Sequence, residues 1–113
     1  MPLEDSTRIR HMIEAAPEAL SYCADMDEDA FRNDRRTQRA VVQCIQVIGE
    51  AANRVADVTQ SQSTGVPWDQ IVGMRHRIVH TYFDIDLALV WQVIKKDLQP
   101  LIDELRKWER EQS

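Results

Sequence analysis

Residues 36–55, RTQRAVVQCIQVIGEAANRV, contain apolar residues that recur at steps of three and four. This spacing predicts an amphipathic helix, because such residues fall on one face of a helix with 3.6 residues per turn. We expect the helix to extend over residues 34–60. Gly49 lies within its apolar face and should allow a second helix to approach closely. The predicted buried positions are Val41, Cys44, Ile45, Ile48, Ala51, Ala52 and Val55.

The same periodicity continues on both sides of this segment. Upstream, Asp5 or Ser6 can cap a first helix, which Pro17 is expected to bend. An acidic connection near residues 25–29 follows it, and a polar loop at 59–67 follows the long helix. A third helix is predicted from Pro67, a residue that suits the first turn of a helix.

A fourth helix is predicted after the TYFD stretch, with Asp84 or Asp86 as its cap and a kink at Pro100. No segment alternates between apolar and polar residues with a period of two, so no strands are expected. Four helices with short connections predict an all-α, antiparallel four-helix bundle with a kinked C-terminal helix. At 113 residues, we expect one domain over residues 1–113.

Composition narrows the functional classes. Apolar residues make up 43% of the chain and charged residues 29%, which is typical of a globular protein and not of a disordered one. No stretch approaches the roughly 20 apolar residues of a membrane span, and MPLEDSTRIR contains no secretory h-region. Cys23 and Cys44 lack CxxC spacing and are predicted to be reduced core residues. We therefore expect a cytoplasmic protein with no membrane partner.

The formal net charge of −5 argues against a broad electrostatic surface for nucleic acid, although a local basic patch would still serve. Basic residues cluster at 32–39 and at 75–77. In the first cluster, Arg35, Arg36 and Arg39 are more simply explained as solvated surface than as a path for RNA. The three tryptophans are likewise expected in the core, and His11 on the surface.

The second cluster belongs to MRHRIVHTYF, residues 74–83, for which three interpretations compete. The charged residues can be the solvated face of a core helix. His76 and His80, four apart, can share a helical face and bind a metal, but no carboxylate occupies the adjoining positions and two arginines would oppose a cation. The third interpretation is a catalytic site.

These residue types suit the catalysis of RNA cleavage. A histidine can exchange a proton with a ribose 2′-hydroxyl, and an arginine can bind two phosphate oxygens. Arg75 and His80 are five apart, roughly 140° around an ideal helix, so they converge only if the helix unwinds near Thr81 or a second chain completes the site. Tyr82 would lie at that helix end. The 2′-hydroxyl is the nucleophile, so neither metal nor cofactor is required.

The spacing Arg75-x4-His80-x-Tyr82 resembles the R-x4-H-x-Y motif of the HepT-type toxins of the HEPN superfamily. The blocks at 36–55, 67–83 and 86–101 resemble successive segments of that family in the same order, so the resemblance spans residues 5–108. His76 stands where many relatives carry Asn or Asp. The resemblance implies a HEPN-like bundle and catalytic roles for Arg75, His80 and Tyr82, and His76 and Arg77 are weaker candidates for substrate binding.

The resemblance also implies partners and regulation. It implies a homodimer whose two motifs share one cleft, and a metal-independent RNA endonuclease that is the toxin of a toxin–antitoxin pair. The implied antitoxin is an MNT-type nucleotidyltransferase that attaches AMP to Tyr82. Tyr22 is a poorer acceptor because it neighbours the apolar Leu20 and Cys23. RNA is the expected substrate, and DNA is not an expected partner.

A different functional class remains open beside the nuclease. The chain can be a non-catalytic helical protein whose motif only binds a nucleotidyltransferase or a nucleotide. Glu50, which lies among buried positions, can either hydrogen-bond a motif side chain or pair with another helix. Intact mass and RNA cleavage, measured with and without the co-expressed nucleotidyltransferase, discriminate between the two classes.

Overall fold

The computed structural model describes residues 3–63, 65–81 and 84–112, excluding the side chains of Leu3, Arg75 and residues 79–81. The predicted all-α class is confirmed. The elements in chain order are α1 (Leu3–Tyr22), α2 (Glu28–Arg32), α3 (Arg35–Arg54), α4 (Asp57–Ser61), α5 (Trp68–Ile78), β1 (Val79–Thr81), β2 (Asp84–Ile85), α6 (Leu87–Gln92), a π-helical turn (Val93–Asp97) and α7 (Leu98–Glu111).

Helix α3 is the centre of the bundle, since it packs against both α1 and α5, while α1 also packs against α7. Gly49 is buried, and the carbonyl oxygen of Ile71 in α5 lies 3.4 Å from the position that a Cβ would take at Gly49. The expected close approach of a second helix at this glycine is therefore confirmed. The largest fully buried side chains are Phe31, Ile9, Met12, Ile45, Ile48, Ile78, Leu98, Ile102, Leu105, Val41, Val90 and Val93.

The long helix ends at Arg54, so the prediction that it continues to residue 60 is wrong. The buried Asp5 explains the break, because its carboxylate accepts hydrogen bonds from the Ala56 N–H (3.2 Å) and the Thr59 hydroxyl (2.6 Å). Asp5 thus caps the start of α4, which has no side-chain cap of its own, and does not precede α1 as predicted. Gln60 completes the turn by donating its side-chain amide to two carbonyls at the end of α3.

Asp5→Ala is expected to destabilise the protein by about 1–3 kcal/mol, because it leaves the buried Thr59 hydroxyl and the part-buried Ala56 N–H without their acceptor. Asp5→Asn retains an acceptor oxygen and should lose less. Glu4→Ala removes a neighbouring acidic residue that is exposed, so it is the matched control and should change stability little. Urea denaturation measures all three variants, and equal midpoints for Asp5→Ala and Glu4→Ala would rule out this capping role.

The predicted connection at 25–29 is partly helical, since Asp27 caps α2 by accepting the Ala30 N–H at 2.8 Å. Of the two candidate caps for the last helix, Asp86 is the cap and accepts the Leu89 N–H at 3.0 Å. Pro17 lies inside α1 without ending it. Near Pro100, which has no N–H to donate, the ladder shifts to a π turn in which the Leu98 N–H bonds the Val93 carbonyl.

Both cysteines are free and buried, as predicted. Burial, followed by a hydrogen bond to Glu18, raises the pKa of the Cys44 thiol to about 12, so this thiol stays protonated at neutral pH. Trp68 and Trp108 are buried in the core, while Trp91 is half-buried with its ring centroid 5.4 Å from that of Phe31. Along the described part of the chain, no helix has the length and apolar character needed to span a membrane.

Candidate active site

The motif is divided between two elements. Arg75 lies in α5, which ends at Ile78, and His80 lies in strand β1. The sequence required the helix to unwind near Thr81 if the two residues were to converge within one chain. The helix ends earlier than that, three residues before Thr81. The backbone of positions 75 and 80 therefore does not follow one continuous helix, and the 140° divergence does not apply.

A short antiparallel hairpin, which is absent from the elements predicted from the sequence, follows α5. Val79 pairs with Ile85 and Thr81 with Asp84, so β1 advances by two residues where β2 advances by one. His80 is consequently the extra residue of a β-bulge, a feature over-represented beside active sites. The Asp86 N–H closes the hairpin by donating to the Ile78 carbonyl at 2.8 Å.

The hairpin had a weak signal in the sequence. Val79 and Thr81 are β-branched and flank His80, and Ile85 is a third β-branched residue on the returning strand. Two or three residues are too few to establish a period of two. The apolar positions Ile78 and Val79 also continue the helical pattern, which is why the helix was expected to extend further.

Because His80 lies in a strand, one argument for a metal site no longer holds. His76 and His80 were expected to share one helical face, and this is wrong because only His76 is helical. Over the described residues, no group of three or more His, Cys, Asp or Glu side chains is arranged to hold a metal ion. The side chain of His80 lies outside that description, so a reaction without metal stays a prediction.

The two weaker site candidates are exposed on α5. Arg77 donates from Nη2 to the Gln70 carbonyl at 2.9 Å, so its side chain extends back along the helix. It lines a cavity of about 110 Å³ between α5 and α7, to which Asp97 and Glu104 also contribute. Positions 75 and 77 are about 200° apart around α5, on opposite sides of the helix. Roles for His76 and Arg77 in binding substrate stay predictions.

Tyr82 and Phe83 lie outside the described residues, as do the side chains of Arg75 and His80. Their catalytic roles, and the modification of Tyr82, therefore stay predictions. Glu50 is described, and its carboxylate pairs with Arg54 at 3.1 Å within α3. The interhelical pair expected for Glu50 is replaced by this exposed intrahelical pair, whereas a bond to a motif side chain stays a prediction.

Comparison with known proteins covers most of the chain. The family model "Ribonuclease HepT-like" matches residues 12–108. The chain is 30% identical over 94 residues to "Putative RNase MJ1380" of Methanocaldococcus jannaschii, a match that covers 83% of this chain and 86% of the relative. It is 30% identical over 108 residues to "Probable ribonuclease HepT" of Thermococcus cleftensis, with 93% of each chain covered.

A third relative is longer. "Gamma-glutamylcyclotransferase and putative RNase MJ0434" of Methanocaldococcus jannaschii is 32% identical over 99 residues, which is 88% of this chain and 45% of that protein. No solved structure matches the chain. The family match includes the whole of α3, α5 and the hairpin with the motif residues 75–82. The chain therefore belongs to the HepT-like ribonuclease family.

Proposed function

We propose that this protein is a metal-independent RNA endonuclease and the toxin of a toxin–antitoxin pair, with Arg75, His80 and Tyr82 as its catalytic residues. One observation carries the proposal: the match to the HepT-like ribonuclease family includes residues 75–82, where the chain has the complete R-x4-H-x-Y motif. The end of α5 at Ile78 and the bulge at His80 support it, because they free the histidine from the helical register of the arginine.

The proposed chemistry uses groups of the chain and of the RNA. His80 exchanges a proton with the 2′-hydroxyl or with the leaving 5′-oxygen. The 2′-oxygen attacks the adjacent phosphorus, and the bond to the 5′-oxygen breaks. Arg75 binds the phosphate oxygens and stabilises the charge that develops on them, and the Tyr82 phenol donates to the same phosphate. The products are a 2′,3′-cyclic phosphate and a free 5′-hydroxyl.

The cleavage reaction itself tests this function. Purified protein is expected to cut single-stranded RNA at an unchanged rate in excess EDTA and to leave cyclic phosphate ends. Mass spectrometry of the products identifies the ends, and a variant with both Arg75 and His80 replaced by alanine controls for contaminating nucleases. Activity that EDTA abolishes and a divalent ion restores would favour a metal site instead. No cleavage under any condition would favour the non-catalytic binding protein.

We further propose that the active form is a twofold homodimer with both motifs at one cleft. A shared cleft would place two motif arginines, one from each chain, beside one RNA strand, which compensates locally for a chain of net charge −5. Light scattering at micromolar concentration is expected to give twice the mass of the 13.1 kDa chain. A monomer at that concentration, with full activity, would contradict the shared cleft.

Regulation is the last part of the proposal. An MNT-type nucleotidyltransferase is the proposed antitoxin and Tyr82 its target, because an adenylate group adds bulk and negative charge beside Arg75 and His80. In the sequence, position 82 falls between the two described strands of the hairpin. The two free cysteines are in keeping with a cytoplasmic protein, the location we propose.

A further inference from the structure

Two arginines near the start of α3, Arg35 and Arg39, lie beyond the end of α5, where the groove between the two helices continues toward the hairpin. The two helices run antiparallel. At one end, the Trp68 indole at the start of α5 donates to Ser63, shortly after α3 and α4 end. At the other end, Gln38 near the start of α3 donates to the Phe31 carbonyl at 2.8 Å. Phe31 in turn packs on Trp91 of α6, the helix that follows the hairpin.

The contact between Gly49 and Ile71 shows which residues of α3 and α5 lie side by side. From Ile71 to the end of α5 at Ile78 is about 10 Å at 1.5 Å per residue, and from Gly49 back to Arg39 is about 15 Å. Arg39 therefore lies about one turn beyond the end of α5, the end from which the chain continues into the hairpin that carries His80. Arg35, at the first position of α3, lies one further turn along the same direction.

Helical phase determines which arginines face the groove. Taking about 100° per residue, Arg35 points within about 40° of Gly49 and Arg39 within about 80°. Arg36 points about 140° away, closer to the side on which Cys44 bonds Glu18 of α1. Arg35 and Arg39, four residues apart, thus form one stripe on the side of α3 that faces α5 further along the helix, while Arg36 lies outside it.

Neither arginine of this stripe is neutralised by a described residue. Both side chains are exposed and neither forms an ion pair among the described residues. Asp34, the adjacent acidic residue, instead accepts hydrogen bonds from the Thr37 N–H at 3.0 Å and the Thr37 hydroxyl at 2.9 Å. These bonds lower the pKa of Asp34. Glu50, further along α3, is paired with Arg54.

We propose that Arg35 and Arg39 bind backbone phosphates of single-stranded RNA next to the bond that is cut, so that the α3–α5 groove guides the strand to the motif. This inference rests on the proposed function and assigns it a binding surface. An arginine suits the role because its planar guanidinium can donate two hydrogen bonds to one phosphate. A chain of net charge −5 must hold a polyanion through such local cations, since its overall field is repulsive.

The test compares the removal of exposed positive charges that point in different directions from α3; of these, Arg36 is also attracted to the Asp34 carboxylate. Arg39→Gln and Arg36→Gln each remove one exposed positive charge from α3. Arg35→Gln removes the charge of the second arginine in the stripe. The probe is a single-stranded 2′-O-methyl RNA, which the intact wild-type protein cannot cut because the nucleophile is blocked. Fluorescence anisotropy gives the Kd over a range of salt concentrations, and circular dichroism verifies that each variant is folded.

Arg39→Gln and Arg35→Gln are each expected to weaken the Kd about tenfold, as for the loss of one charge-assisted hydrogen bond. Each should also reduce the slope of log K against log salt by about 0.7, the value for one phosphate contact on a single strand. Arg36→Gln should leave the slope unchanged. Equal effects of Arg36→Gln and Arg39→Gln on the Kd and on its salt dependence would overturn the proposal that RNA binds along the groove.

The outcomes separate this inference from the proposed function. If wild type cuts unmodified RNA but the stripe variants bind like Arg36→Gln, the groove assignment fails and the nuclease stands. If wild type neither binds nor cuts RNA, the proposed function fails and the groove fails with it. If the stripe variants bind RNA normally but no longer bind a co-expressed nucleotidyltransferase, the surface belongs to the protein partner and the RNA assignment is overturned.

Discussion

His80→Ala is expected to slow RNA cleavage by a factor of about 10²–10⁴, the contribution of a positioned general acid or base. The imidazole is the group in the motif whose ordinary pKa lies near neutrality, so it can both accept and donate a proton under physiological conditions. Alanine removes that group but retains the backbone pairing of Val79 and Thr81 on either side of it. The Kd for the 2′-O-methyl RNA should change far less than the rate.

His76→Ala is the matched control for this prediction. It removes a histidine four residues away that is exposed on α5, so it changes the same residue type without touching the hairpin. Initial rates of RNA cleavage measure both variants. Cleavage by His80→Ala at the rate of wild type would show that the catalytic assignment is wrong, whereas an equal loss in both variants would indicate that the two histidines act together.

Arginine at position 75 can be tested in the same assay. Arg75→Ala should weaken both RNA binding and turnover, and Arg75→Lys should restore little, because lysine keeps the charge but not the bidentate geometry. Full rescue by lysine would mean that position 75 supplies charge alone.

Co-expression with the cognate nucleotidyltransferase is expected to abolish cleavage through adenylate attached at Tyr82. The added group blocks the cleft by its size, and its phosphate places negative charge where the substrate phosphate must bind. Tyr82→Phe should fold, escape modification and resist neutralisation, provided that the phenol contributes little to cleavage. Intact mass, followed by peptide mapping, locates the adenylate.

Tyr22→Phe is the control that the structure provides for this experiment. Tyr22 neighbours the apolar Leu20 and Cys23, but it is itself 42% exposed, so these neighbours do not shield it. Its hydroxyl donates to Glu18 at 3.1 Å, and this bond raises the pKa of Tyr22. Tyr22 is thus an accessible competitor, and Tyr22→Phe should be modified and neutralised like wild type. Adenylate mapped to Tyr22, or full inhibition without modification, would contradict the assignment to Tyr82.

Periodicity in the sequence was sufficient to predict the bundle. Steps of three and four place Val41, Ile45 and Ile48 on one face of α3 whatever the rest of the chain does, and all three are buried. Local chemistry also limited the cap of the last helix to Asp84 or Asp86, and the structure shows that Asp86 caps the helix that begins at the next residue. The motif residues were recognised from their types and spacing, which do not depend on where the helix ends.

Tertiary contacts decided where the helices stop. Asp5 caps α4 from a distance of 51 residues in sequence, and that contact sets the end of α3 near Arg54 although the apolar pattern continues to Val55. The bond from Asp86 to Ile78 likewise accompanies the end of α5 and the formation of the hairpin around His80. A hydrophobic pattern specifies the face that a helix buries, but a backbone group left unpaired at a helix end is satisfied by whichever donor or acceptor the fold brings to it.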